Sequence, residues 1–213
     1  NEGLLIFGFA PQPGKIFEVY DRIALGGVGH PADVERLRMN LLDMAHLEGF
    51  NRSAQDVTSA RLLQFGIAPA LKQNFEEIQR APYIIRMLLV ELYREGDPNF
   101  FRMNYYGHWE TFKNGTAIAG EEKVMDWLQT EIQKQPFATY SLDQALKQAC
   151  KLWDESRKIE TDDEAKKDIP ETLQEAFDQW YLEGAVLTEK SARKAIYRPL
   201  SKDEIERLKS STV

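Results

Sequence analysis

Residues 23–38 read IALGGVGHPADVERLR, and within them Gly27-Val28-Gly29-His30-Pro31-Ala32 fits G-x-G-x-x-A. In a dinucleotide-binding fold this spacing turns the chain tightly and lets backbone amides approach a pyrophosphate at a helix N-terminus. That chemistry needs a βαβ unit with an acidic residue after the returning strand. Here the helical pattern after the glycines leads into a second helical pattern, with no returning strand in reach. The reading left is a tight strand-to-helix turn built from small residues. Lys15 is a second candidate. It sits between the Pro11-Gln12-Pro13-Gly14 turn and an apolar run. An ammonium there either snorkels from a strand end or pairs with an anion.

Other reactive side chains lack the company that chemistry requires. The chain contains no G-x-S-x-G, H-E-x-x-H, C-x-x-C or Walker loop. His30, His46 and His108 lie far apart without ligand spacing, so no metal is expected. Cys150, the single cysteine, falls among Ala145, Leu146, Ala149 and Trp153 and reads as a packing residue. Four tryptophans are spread over different elements, as core and interface anchors are.

The 213 residues suffice for one domain with a proper core, and 43% hydrophobic with 29% charged residues is a globular balance. A net charge of −7 argues against nucleic acid or an anionic membrane as the main partner. No apolar run reaches membrane-spanning length and no signal peptide is visible, so a reducing, cytoplasmic setting is expected. The chain opens without Met on Leu4-Leu5-Ile6-Phe7, which reads as a fold entered partway.

The elements that must position these residues follow from periodicity and capping. Strands are expected over 3–9 and 16–25. A helix is expected over 31–48, with Pro31 at its first turn and Gly49 at its end. A second helix is expected from a Ser53 cap to about Phe75, broken near Gly66 and Pro69. Further strands are expected over 83–93, 100–106 and 108–112, the last two as a hairpin, with a short buried strand at Ala117-Ile118-Ala119. Helices over 121–134 and 141–157 follow, the latter opening on a Ser141/Gln144 capping box. The charged 155–175 stretch, with its Thr161-Asp162-Asp163-Glu164 run, reads as an exposed loop or loosely held helix. Strands over 180–189 and 194–199 precede a last helix that opens on a Ser201/Glu204 capping box. Strands in blocks point to antiparallel sheets with helices layered outside, an α+β fold in a single domain, 1–213.

Taken in order, several stretches resemble the proteasome α subunit family, most closely its bacterial type. Gly14-Lys15-Ile16-Phe17-Glu18-Val19-Tyr20-Asp21-Arg22-Ile23-Ala24 is similar to the family's K-I-x-x-I-Y-D-R-I-A strand. Gly27-Val28-Gly29, then Glu48-Gly49-Phe50-Asn51-Arg52-Ser53 with Asp56-Val57-Thr58 and Arg61-Leu62, follow in the family's order. So do Ala81-Pro82-Tyr83, Tyr105-Tyr106-Gly107, Ile118-Ala119-Gly120, Leu182-Glu183-Gly184-Ala185-Val186-Leu187 and Tyr197-Arg198-Pro199-Leu200.

The resemblance implies a four-layer αββα sandwich of the N-terminal nucleophile hydrolase type. It implies identical α subunits in a ring, catalytic β-type subunits and a ring-shaped ATPase activator as partners. No cofactor is implied. It also implies a usual first strand and an N-terminal gating segment, which this sequence does not show. Catalysis in the family needs an N-terminal threonine, an acidic residue after the second strand and a G-S-G-S stretch. Asn1 stands first here, about Phe9 stands at the acidic position, and Ile118-Ala119-Gly120-Glu121 replaces the serine stretch. A non-catalytic subunit is therefore expected. Lys15, with Val28 and Gly29 as part of the wall of a pocket between neighbouring subunits, is implied to bind the activator's C-terminal tail. Two alternatives stay open: a catalytic homologue with its nucleophile upstream, and a standalone scaffold.

Overall fold

The computed structural model describes residues 3–79, 81–92, 98–159, 169–188 and 196–212. Two antiparallel sheets form its centre. The first has the order β1-β7-β8, from strands β1 (Leu4–Ala10), β7 (Tyr181–Leu187) and β8 (Tyr197–Pro199). The second has the order β2-β3-β4-β5-β6, from β2 (Ile16–Tyr20), β3 (Ile23–Gly29), β4 (Ile85–Leu92), β5 (Pro98–Met103) and β6 (Trp109–Phe112).

Alternation along the central strands shows why both sheets are covered twice. In β3, Ile23 and Leu25 face one core while Ala24 faces another. In β4, Ile85, Met87 and Leu89 point outward to helices, and Val90 points to the facing sheet. In β1, Leu4 and Ile6 meet that same inner layer while Phe9 points the other way. A period of two with apolar residues at both phases is what a sheet buried on both faces requires. Leu4, Ile6, Ala24, Val90, Ala185 and Leu187 thus form the layer between the sheets.

The helices close the outer faces. Helix α1 (Pro31–Asn51) sends Val34, Leu37, Leu41 and Ala45 onto the five-stranded sheet. It is joined by α2 (Ser59–Leu62), a π-helical segment at Leu63–Ile67 and α3 (Ala68–Glu76). A buried carboxylate secures this layer: Glu91 on β4 accepts the Ser59 backbone N–H at 2.8 Å. On the other sheet lie α4 (Glu122–Lys134), α5 (Leu142–Ser156), α6 (Leu173–Gln179) and α7 (Lys202–Thr212), with Leu146, Cys150, Phe177 and Leu208 in their core. The result has the antiparallel sheets with outer helices that the element order predicts, stacked as the four-layer αββα sandwich that the resemblance implies.

Several boundaries differ from expectation, each for a local reason. The 16–25 stretch is two strands, β2 and β3, folded about Asp21-Arg22, because apolar alternation continues across the turn and hides it. The second helix starts at Ser59, not Ser53. Thr58 accepts the Arg61 N–H at 3.3 Å, whereas the Ser53 hydroxyl is spent on Asp56 at 2.9 Å in the preceding turn. Helix α1 runs through Gly49 to Asn51. The break expected near Gly66 and Pro69 is the π-helical segment, whose wider turn meets α1 where a Cβ on Gly66 would strike Met44.

Both expected capping boxes are present, at Ser141/Gln144 and at Ser201/Glu204. Ala117-Ile118-Ala119 is not a strand. Ala117 and Ile118 line one cavity with β1, and the Arg86 guanidinium donates to the Ala119 and Gly120 carbonyls. Helix α6 was hidden by the charge of the preceding stretch. Its Leu173, Ala176 and Phe177 are buried, and Thr172 caps it by accepting the Glu175 N–H. Of the 155–175 stretch, residues 160–168 lie outside the described residues, as do 93, 189, 194 and 195 of the expected strands.

Candidate functional site

The G-x-G-x-x-A stretch is the first surprise of geometry. Its glycines are not a turn: they pair in register with β4, from Gly27 opposite Met87 to Gly29 opposite Ile85. Gly27 and the preceding Gly26 are small because a layer presses on each of them. A Cβ on Gly27 would lie 2.7 Å from Val34 Cγ1 of α1, and one on Gly26 would lie 3.2 Å from Ile6 Cδ1 of the facing sheet. The helix amides that would hold a phosphate are already used. His30 Nδ1 accepts the Ala32 N–H at 3.3 Å, the His30 carbonyl accepts from Asp33 and Val34, and Pro31 has no N–H to offer.

The amides that do converge belong to the loop entering β2. Glu183, on β7 of the opposite sheet, sends its carboxylate across to the N–H groups of Gly14, Lys15 and Ile16. The Lys15 and Ile16 bonds are 2.8 and 3.1 Å. One side chain thus ties the edge strand of the five-stranded sheet to the middle strand of the other. Lys15 is half-buried at this junction. Desolvation holds its ammonium below the ordinary lysine range, and the Glu183 charge partly offsets that.

Lys15 and Glu183 both line a cavity of about 850 Å³. Its walls include β1 from Gly3 to Ala10, Gly27 and Val28 of β3, the Gly115–Ile118 segment, and Tyr140 to Leu142 at the start of α5. Of the three residues expected at the tail-binding site, the structure brings Lys15 and Val28 to one cavity. Gly29 lies apart from its walls, against Ile84 and Ile85, with φ +142°. The Gly27 N–H donates to the Lys15 carbonyl at 3.1 Å, so the two segments are tied at the backbone. Glu183 was missed as a site residue. The available signal was a lone carboxylate inside the apolar run YLEGAVL.

The positions that catalysis would use hold packing chemistry. Phe9 is buried with ring centroids 4.8 Å from Trp153 and 5.3 Å from Phe177. Cys150 is fully buried in the same core, and burial pushes its thiol up to about 12, leaving no thiolate at neutral pH. His46 stacks edge-on against Tyr20 and lies 2.7 Å from the Leu42 carbonyl. Among the described residues no cluster of His, Cys, Asp and Glu has the shape to hold a metal ion, and no helix is long and apolar enough to cross a membrane.

Comparison with known proteins agrees with this architecture. A sequence profile of the family described as "Proteasome subunit" matches residues 10–169. The proteasome subunit alpha of Acidothermus cellulolyticus is 31% identical over 109 residues, covering 50% of this chain and 46% of that protein. The proteasome subunit alpha of a Parafrankia species is 32% identical over 128 residues, covering 59% and 52%. That of Kineococcus radiotolerans is 27% identical over 139 residues, covering 63% and 55%. The chain spans about half the length of the curated relatives it matches. With the profile running from the end of β1 past α5 and two sheets stacked between helix layers, this chain belongs to the proteasome subunit family, and its relatives there are bacterial α subunits.

Proposed function

We propose that this chain is a non-catalytic subunit of the outer ring of a compartmental protease, a ring that controls substrate entry and docks a ring-shaped ATPase. Its partners on this reading are copies of itself, catalytic β-type subunits and the ATPase, in the cytoplasm. The observation that carries the docking role is the joint placement of Lys15 and Val28 on one cavity, with Lys15 half-buried beside three backbone amides. A C-terminal carboxylate entering there meets an ammonium in a partly dehydrated setting. A charge-assisted bond of that kind contributes about 1.5–3 kcal/mol. The non-catalytic role draws its support from Phe9, where an aromatic cluster occupies the place of an acid.

The test is Lys15→Ala in the complex assembled with its β-type subunits. ATPase-stimulated protein degradation is expected to fall by at least tenfold while small-peptide cleavage by the barrel is kept. Unchanged stimulation overturns the docking role. Peptidase activity from the purified chain, blocked by a threonine-directed inhibitor, overturns the non-catalytic role in favour of an upstream nucleophile. A chain that neither forms rings nor co-purifies with a β-type subunit fits the scaffold alternative.

A further inference from the structure

We infer that Glu183 is a positioning residue for the Lys15 site: its carboxylate, seated on the Gly14, Lys15 and Ile16 amides, fixes the loop that presents the lysine to an incoming carboxylate. This rests on the docking role just proposed and extends it to a residue on the opposite sheet.

Three observations carry it. The loop entering β2 has Pro11, Pro13 and Gly14 at φ +98° but little packing, since Pro11 to Gly14 are exposed. Its Gly14, Lys15 and Ile16 amides are instead held by one side chain from β7. That side chain sits where β7 runs opposite Gly8 of β1, at the wall of the same cavity. Glu183 also places a negative charge beside Lys15, and this makes the inference testable by sign. As a charge alone, Glu183 opposes a second carboxylate, and its removal tightens tail binding. As a positioning group it organises the site, and its removal weakens binding even though the site becomes more positive.

The probe is a fluorescein-labelled peptide ending in an apolar residue with a free α-carboxylate, compared with its C-terminal amide, titrated by anisotropy against the assembled complex. The readout is the ratio of the two affinities, which reports the Lys15 contact and not overall folding. Glu183→Gln is expected to reduce that ratio about tenfold. Glu183→Asp keeps the charge but shortens the reach, and is expected to do nearly the same. It carries the test if Glu183→Gln does not fold. The pH midpoint for loss of binding is expected to move down in Glu183→Gln, because the charge that raises the Lys15 pKa is gone. A ratio that is unchanged or larger in Glu183→Gln, or a wild-type ratio in Glu183→Asp, overturns the inference while leaving Lys15→Ala to decide the docking role. A Lys15→Ala variant that keeps the wild-type ratio overturns the docking role itself, and this inference with it.

Discussion

Two glycine-containing stretches of this chain face opposite fates. Gly27-Val28-Gly29 carries the spacing of a phosphate loop, yet it is the end of a paired strand, with helix α1 packed on Gly27 and the start of β4 pressed against Gly29. Gly14-Lys15-Ile16 carries no such spacing, yet its three amides converge on one anion, the Glu183 carboxylate. Spacing in sequence reports where amides are free of side chains. Whether they are free of neighbours is decided by segments that arrive from elsewhere: Val34, Ile84 and Ile85 at the first stretch, β7 at the second. Both stretches reach the cavity wall, but the strand amides at Gly27 to Gly29 are committed to sheet pairing, while the loop amides are free of the sheet and are taken by a carboxylate.

The largest expected effect tests how tightly the first stretch is packed. Gly29 has φ +142°, and a Cβ there would lie 2.6 Å from the Ile84 carbonyl oxygen and 2.9 Å from Ile85 Cγ2. The backbone strain and the clash with a neighbouring strand add together, and neither atom sits on a flexible side-chain end. Gly29→Ala is expected to destabilise the fold by about 2–3 kcal/mol, read as a shift of the urea midpoint at constant slope. A loss under 0.5 kcal/mol would mean that the β3–β4 edge yields, and that the glycine is not required by packing.

A smaller effect asks what a carboxylate gains from main-chain amides when it also has a cation. Glu204 makes the comparison with Glu183 sharper, because it accepts the Ser201 N–H at 2.7 Å and a two-pronged contact from Arg198 at 2.8 and 2.9 Å. Arg198 is the larger cause, the Ser201 bonds add to it, and together they hold the Glu204 carboxyl at about 2. A folded pKa below the unfolded one means the stabilisation is present above the ordinary carboxylate range and is lost as pH falls from about 4.5 toward 2. Glu204→Gln is expected to cost about 1–2 kcal/mol at pH 7, with the gap to wild type closing across that acidic window. A gap independent of pH would assign the effect to packing rather than charge.

Much of this architecture was legible in the sequence, and the reasons differ by element. Helix α5 was read within a residue at each end, because Ser141 and Gln144 satisfy each other's amides locally. The hairpin around Gly107 was legible for a similar reason, since that glycine adopts φ +85° within a turn closed by its own Asn104 carbonyl. Ala117-Ile118-Ala119 failed as a strand because strand formation depends on a partner at hydrogen-bonding distance, which no local pattern encodes. Ser53 is not the cap because its hydroxyl turns to Asp56, and the helix start at Ser59 is fixed by Glu91 reaching the Ser59 amide from β4, a contact that no local pattern encodes. At the candidate site, Lys15 stands out by its place between a Pro/Gly turn and an apolar run, while its pairing with Val28 comes only from the resemblance. Glu183 stood in plain view as a carboxylate among apolar residues, but its partners lie well over a hundred residues earlier in the chain, and only the stacking of the sheets brings them together.

The smallest expected effect returns to the open loop. Gly14 also has a positive φ, +98°, but a Cβ there would meet only Phe17 ring atoms at 3.7 and 3.9 Å, ordinary contact. Gly14→Ala thus carries the backbone penalty without the clash, about 1 kcal/mol against the 2–3 expected at Gly29. Part of that penalty is offset because alanine restricts the unfolded chain. The loop has a second way to respond: rotating Gly14 toward negative φ would withdraw its amide from Glu183 and relieve the strain. If it does so, thermal stability changes little but amide exchange at Gly14 to Ile16 quickens. A Gly14→Ala loss as large as that of Gly29→Ala would show the loop to be as firmly built as the buried strand. The contrast between a closed and an open amide-bearing stretch would then have to rest on accessibility alone.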